Sequence, residues 1–233
     1  MFNLRDIGGQ SVEGGEIRGG LIWRSNALVD LGEPGRTELA ELGIKTAIDM
    51  REPGERAAEP SDLGHFDLAL HEVPLIEGAS EAVNIDLLVF NNWLLTNRGE
   101  RLVDVIRLLN APGALPGVYF CSSGKDRTGL ITALILSALG VEHERVIADY
   151  TVSESNFPAE YLDRAVERAL AGGMPETMVE DYRAEGLGSP AAVMEGTLEL
   201  LDNEHGGAEE YLLASGLGAA ELAELRAKLV RAI

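Results

Sequence analysis

Val118-Tyr119-Phe120-Cys121-Ser122-Ser123-Gly124-Lys125-Asp126-Arg127-Thr128-Gly129 runs directly into Leu130-Ile131-Thr132-Ala133-Leu134-Ile135-Leu136-Ser137-Ala138-Leu139. Val118 to Phe120 is a short apolar run of strand type. Thr128 to Leu139 is strongly helical, and Gly140 is its natural C′ residue. A loop that enters a helix N-terminus aims unpaired N–H groups and the positive dipole end at one point. Ser122, Ser123 and Gly124 are small enough for that backbone to curl around an anion. Strand, glycine-containing loop and helix together predict an α/β fold with an anion site at the strand's end.

Cys121 opens this loop, close to Arg127 and Lys125, where helix dipole and cations favour a thiolate nucleophile. Arg127, six positions on, is placed to return and clamp two oxygens of a tetrahedral anion. The Thr128 hydroxyl is within reach of the sulfur and would improve it as a leaving group. Phosphate is the expected guest. The chemistry is then two-step, with a cysteinyl-phosphate that water hydrolyses. Each step moves a proton, and Asp126, inside the loop, is the nearest group to carry it. A lone cysteine at a strand end more often only packs; the glycine inside the loop and the helix after it favour catalysis. Two other functions use the same loop. One is a phosphate-binding module without useful turnover; the other is a sulfurtransferase, whose chemistry does not require Lys-Asp-Arg-Thr-Gly.

The rest of the chain narrows the class. Its 233 residues are 45% hydrophobic and 25% charged, as in a globular protein with a substantial core. The net charge of −20 disfavours nucleic-acid backbones, and no basic stripe overrides it. Any anion site must be built locally. No segment approaches the roughly 20 apolar residues of a membrane span. The N-terminus shows no secretory signal, so a cytoplasmic location is expected. Cys121 is the only cysteine, and His65, His71, His143 and His205 are scattered. No disulfide, structural metal or cofactor is therefore expected. Glycines from Gly8 to Gly20 predict turns or a hairpin before Leu21-Ile22-Trp23. Lys45 to Met50 and Leu68 to Val73 read as strands, and Thr37 to Leu42, Asn84 to Leu95 and Glu100 to Leu109 as helices. From Glu142 onward every segment reads as helix, including Pro175 to Ala184 and Ala219 to Ala232. The expectation is a single domain, 1–233, in which helices from about 142 to 233 pack on an α/β core with a short central sheet and can lid the site.

Cys-x-x-Gly-Lys-Asp-Arg-Thr-Gly resembles the active-site loop of the atypical bacterial tyrosine phosphatases. Asn3-Leu4-Arg5-Asp6, Leu21-Ile22-Trp23-Arg24-Ser25, Ile48-Asp49-Met50-Arg51 with Glu55, and Glu209-Glu210-Tyr211-Leu212 resemble further blocks of that family. The resemblance implies a protein-tyrosine-phosphatase-like core. It implies activity on phosphotyrosine, phosphoserine or phosphothreonine, and often on phosphoinositides or small phosphoesters. It implies Cys121, Asp126, Arg127 and Thr128 as catalytic residues, and Ser122, Ser123, Gly124, Lys125 and Gly129 as substrate-binding ones. Asn3, Arg5 and Asp6 are candidates to brace the loop, unless Arg5 and Asp6 form only a surface ion pair. Glu77, after the Pro74 turn, is a candidate auxiliary acid or base. One departure stands out: Phe120 occupies the place where the superfamily usually has histidine, and a phenyl ring cannot orient the loop by hydrogen bonds.

Overall fold

The computed structural model describes residues 1–64, 66–77 and 86–233. His65 and the first two residues of the helix expected from Asn84 lie outside them. The strands are β1 (Arg5–Asp6), β2 (Ser11–Val12), β3 (Gly15–Ile17), β4 (Ile22–Ser25), β5 (Thr46–Asp49), β6 (Ala69–Glu72), β7 (Gly117–Phe120) and β8 (Val230–Ala232). Five form the main sheet in the order β1-β4-β7-β5-β6, with β4, β7, β5 and β6 mutually parallel and β1 antiparallel at the edge. β7 is therefore central: Phe120 is in register with Ser25 on one side and Asp49 on the other.

Central parallel strands are covered on both faces, so β7 reads as an unbroken apolar run. Val118 and Phe120 pack with Leu28, Leu31 and Leu39, the last from helix α1 (Gly32–Glu41). Tyr119 and Cys121 face the larger core, which draws on residues from Ile7 to Leu229. Short helix α2 (Pro53–Ala58) follows β5, and α3 (Leu87–Asn97) and α4 (Gly99–Asn110) precede β7. α5 (Asp126–Ala138) leaves the loop after β7 and lies in the middle of the larger core. Ten of its thirteen residues are buried, which explains its lack of a polar face.

The C-terminal half continues with α6 (His143–Ser155) and α7 (Ala159–Ala171). A 3-10 turn (Glu176–Met178), the three-residue α8 (Val179–Asp181) and a π-helical turn (Tyr182–Leu187) follow. α9 (Ala191–His205), α10 (Ala208–Ala214) and α11 (Ala219–Leu229) complete it. Two expectations need correction. Pro175 to Ala184 is not one helix, and α11 ends at Leu229, after which β8 pairs with β3. The second change depends on Gly15, where a Cβ would sit 2.5 Å from the Arg231 carbonyl oxygen, so only glycine lets the strands approach. The C-terminal part is thus helical except for its last strand. No helix among the described residues is long and apolar enough to cross a membrane.

Candidate active site

The loop from Cys121 to Lys125 leaves the C-terminal end of the central strand, where open α/β sheets place their ligands. Four successive carbonyls of this loop have donors on the outer side. Ser122 O accepts from the Ala27 N–H at 3.1 Å. Asn3 Nδ2 donates to Ser123 O and Gly124 O, both at 3.0 Å. Arg24 Nη2 donates to Gly124 O at 2.8 Å and reaches Lys125 O at 3.4 Å. With the carbonyls held outward, the N–H groups of Ser122 to Lys125 donate to nothing among the described residues. Asp126 and Arg127 open α5, where first-turn N–H groups have no intrahelical partner. Gly124 sits at φ +69°, and a Cβ there would lie 2.3 Å from Ser25 O. Its glycine is demanded both by backbone conformation and by contact with β4.

Cys121 is buried, and the Thr128 hydroxyl donates to its sulfur at 3.1 Å. Asp126 lies between the Tyr150 hydroxyl at 3.4 Å and the Lys125 ammonium at 3.3 Å. Arg127 forms a two-pronged pair with Glu55 of α2, at 2.6 and 2.8 Å, and the Ser122 hydroxyl donates to the same carboxylate. Burial pushes the Glu55 carboxyl up, but the hydrogen bonds and charge of Arg127, with Ser122, outweigh it and bring the pKa to about 2. Burial likewise disfavours the Arg127 cation, yet Glu55 and the neighbouring Cys121 raise its pKa above the ordinary guanidinium value. Tyr161 of α7 stands by the loop, its ring packed in tilted geometry against Phe2 and Phe157, with centroids 4.6 and 5.4 Å away. Burial, then the charges of Cys121 and Asp126, keep its phenol un-ionised.

The structure therefore brings Cys121, Ser122, Asp126, Arg127 and Thr128 together, and sorts the other candidates differently. Lys125 is 1% exposed and its Nζ donates to the carbonyls of Gly186 and Gly188, at 2.7 and 2.6 Å, tying the loop to the segment after α8. Gly129 serves packing: a Cβ there would lie 2.8 Å from the Tyr150 ring. Arg5 does not pair with Asp6. It pairs with Asp149 of α6 at 2.9 Å and supports the loop through Asn3. Asp6 instead accepts from the Gly8 and Gly20 N–H groups and fixes the turns beside β1. Glu77 faces Arg101 at 3.7 Å in a separate cleft with Pro74, Arg98 and Ser215. Arg51 pairs with Asp49 at 2.7 Å, and no metal-holding cluster occurs among the described residues. Sequence reasoning missed the pairing of Glu55 with Arg127 and the roles of Arg24, Asp149 and Tyr150. Nothing short-range signals them, because the contacts that tie them to the loop span from 24 to 101 residues.

The sequence profile of the tyrosine phosphatase family matches residues 1–231. A tyrosine-protein phosphatase of Nostoc commune is 28% identical over 221 residues, covering 90% of this chain and 74% of that one. The triple specificity protein phosphatase PtpB of Mycobacterium tuberculosis is 25% identical over 274 residues, covering 98% and 96%. Among solved structures, TpbA of P. aeruginosa is similar over 75% of this chain and 84% of its own, at 19% identity and a TM-score of 0.39. That last likeness adds nothing to the fold described above.

Proposed function

The chain belongs to the tyrosine phosphatase family, whose members are phosphoric monoester hydrolases, and from that premise we propose that it hydrolyses phosphotyrosine through a cysteinyl-phosphate. The observation that carries this reading is a buried Cys121, hydrogen-bonded by Thr128, beneath a loop whose outward carbonyls leave its N–H groups free for an anion. The incoming dianion takes Arg127 over from Glu55. The Cys121 thiolate attacks phosphorus, the ester P–O bond breaks, and Asp126 gives the leaving oxygen its proton. Water then attacks the S–P bond's phosphorus while Asp126 takes back a proton. The thiolate departs, stabilised by the Thr128 hydroxyl. Catalysis here is positioning plus electrostatic stabilisation of the transferring group.

In this reading residues 1–233 act as one domain, with α7 and the helical turns after it as the cover of the site. Lys125 then acts through that cover and not as a direct phosphate ligand. Phosphoserine, phosphothreonine and phosphoinositide substrates belong to the same proposal, prompted by the triple specificity named for the mycobacterial relative. The test is Cys121→Ser. Turnover of p-nitrophenyl phosphate should vanish while orthovanadate still binds, because the loop amides and Arg127 remain. Retained turnover would end the cysteinyl-phosphate mechanism. Phosphopeptides and phosphoinositides assayed side by side then rank the substrate classes.

A further inference from the structure

Arg24, on β4, is wholly buried, where a charge persists only if it is paired. Its Nη1 is paired with Asp149 of α6, and its Nη2 donates to Gly124 O at 2.8 Å and to Lys125 O at 3.4 Å. Asp149 is shared with Arg5, whose Nε lies 2.9 Å away and whose Nη2 donates to Asp149 O and the Ser153 hydroxyl. Arg5 in turn donates to Asn3, which holds Ser123 O and Gly124 O from the same side. Burial alone would raise the Asp149 carboxyl, but the two guanidinium groups lower it, so it stays ionised. Two cations thus share one carboxylate, leaving one unit of positive charge directly behind the anion loop.

A peptide plane has two ends. Fixing a carbonyl outward fixes the next N–H inward, so the groups that hold Gly124 O and Lys125 O also aim the N–H groups of Lys125 and Asp126. An isolated buried guanidinium is costly unless paired, and its geometry here is planar and forked, which suits two carbonyls and a carboxylate at once. We infer that Arg24 is a positioning residue of the reaction: aimed by Asp149, its guanidinium locks the catalytic loop in the form that receives phosphate. The inference rests on the phosphatase reading above.

The experiment compares Arg24→Lys, which keeps the charge and loses the fork, with Asp149→Asn, which keeps the shape and leaves Arg24 unaimed. The fraction of Cys121, the only cysteine, that saturating inorganic phosphate protects from iodoacetamide counts the folded sites in each preparation. Kinetic constants for p-nitrophenyl phosphate and the inhibition constant of inorganic phosphate are then expressed per site. Small misplacements of a catalytic group cost on the order of 10²-fold. Arg24→Lys should lose about that factor in kcat, with phosphate binding weakened roughly tenfold, and Asp149→Asn should lose less. A purely structural role would lower the melting temperature and the count of sites but leave both constants per site unchanged. That result overturns the inference, as does failure of both variants to give any titratable site. If the wild-type enzyme itself hydrolyses no phosphate ester, the phosphatase reading fails instead. Phosphate protection of Cys121 from alkylation then reports the loop geometry, and equal protection in wild type and variants overturns the inference.

Discussion

Glu55 and Arg127 face each other as two forks, so a phosphate that takes Arg127 must take it from Glu55. Because the folded carboxyl titrates near 2, the pair is intact at any pH where the enzyme is expected to work. A depressed carboxylate pKa stabilises the fold above the unfolded value, near 4.5, and that contribution fades as pH falls towards 2. Glu55→Gln should therefore lower stability at pH 7 by about 1 kcal/mol, a discounted figure because the carboxylate is partly exposed. Urea melts of both proteins should converge between about pH 4.5 and pH 2; a constant gap would show that Glu55 does not titrate with the pair. Asp126 gives a second prediction. Positioned acid catalysis contributes about 10²–10⁴-fold. Asp126→Asn should lose roughly that factor on phenyl phosphate and much less on p-nitrophenyl phosphate, whose leaving group needs no proton. Equal losses on the two would remove Asp126 from the proton transfer. Phe120 carries a third. Its ring is 0% exposed, packed near Leu28 and Leu39, with the Arg51 guanidinium 5.8 Å from its centroid. Phe120→His would bury an unpaired imidazole there and should cost about 1–3 kcal/mol in thermal unfolding without increasing turnover.

The elements that build the site were legible because their signals are local. The apolar runs of β5 and β7, the glycine in the loop and the periodic α5 each carry their own pattern. α5 begins two residues before its expected start, since Asp126 and Arg127 have no apolar period, only helical backbone. What failed to read was decided by distant partners. β8 is a strand because Gly15 lets Arg231 approach, a contact between opposite ends of the chain. Pro175 to Ala184 has helical composition, but Gly186 and Gly188 are drawn to Lys125, and the last turn widens to a π-helical one. That tie predicts a measurable coupling. Lys125→Met removes both hydrogen bonds while roughly keeping the side-chain volume. Amide exchange in residues 182–188 should speed up by about an order of magnitude or more, as local opening loses stability, while α5 and β7 exchange as before. Uniform change across the chain would mean that Lys125 supports the core and not the cover.

At the scale of the whole molecule, charge sets a problem for any phosphate enzyme. The chain carries −20, and a dianionic substrate approaching it is repelled at long range. Close to the loop the charges nearly balance: Arg127 is met by Glu55, Lys125 by Asp126, Arg51 by Asp49, and Arg5 and Arg24 by Asp149. With the Cys121 thiolate added the local charges cancel, so Arg127 and the loop N–H groups attract only over a few ångströms, whereas the acidic surface acts over the Debye length, about 10 Å at 0.1 M salt. Long range should therefore be repulsive and short range attractive, and added salt should weaken the repulsion first. The alkylation of Cys121 isolates this effect, because iodoacetate carries a charge and iodoacetamide does not. Raising ionic strength from about 10 to 150 mM should increase the iodoacetate rate about 2- to 5-fold. The iodoacetamide rate should stay flat, so the ratio of the two climbs. kcat/KM for p-nitrophenyl phosphate should climb with it, measured in a salt whose anion does not inhibit. A ratio that falls with salt would mean that the local field of Arg127, Arg24 and α5 reaches beyond the acidic surface. The net charge would then play no part in substrate capture.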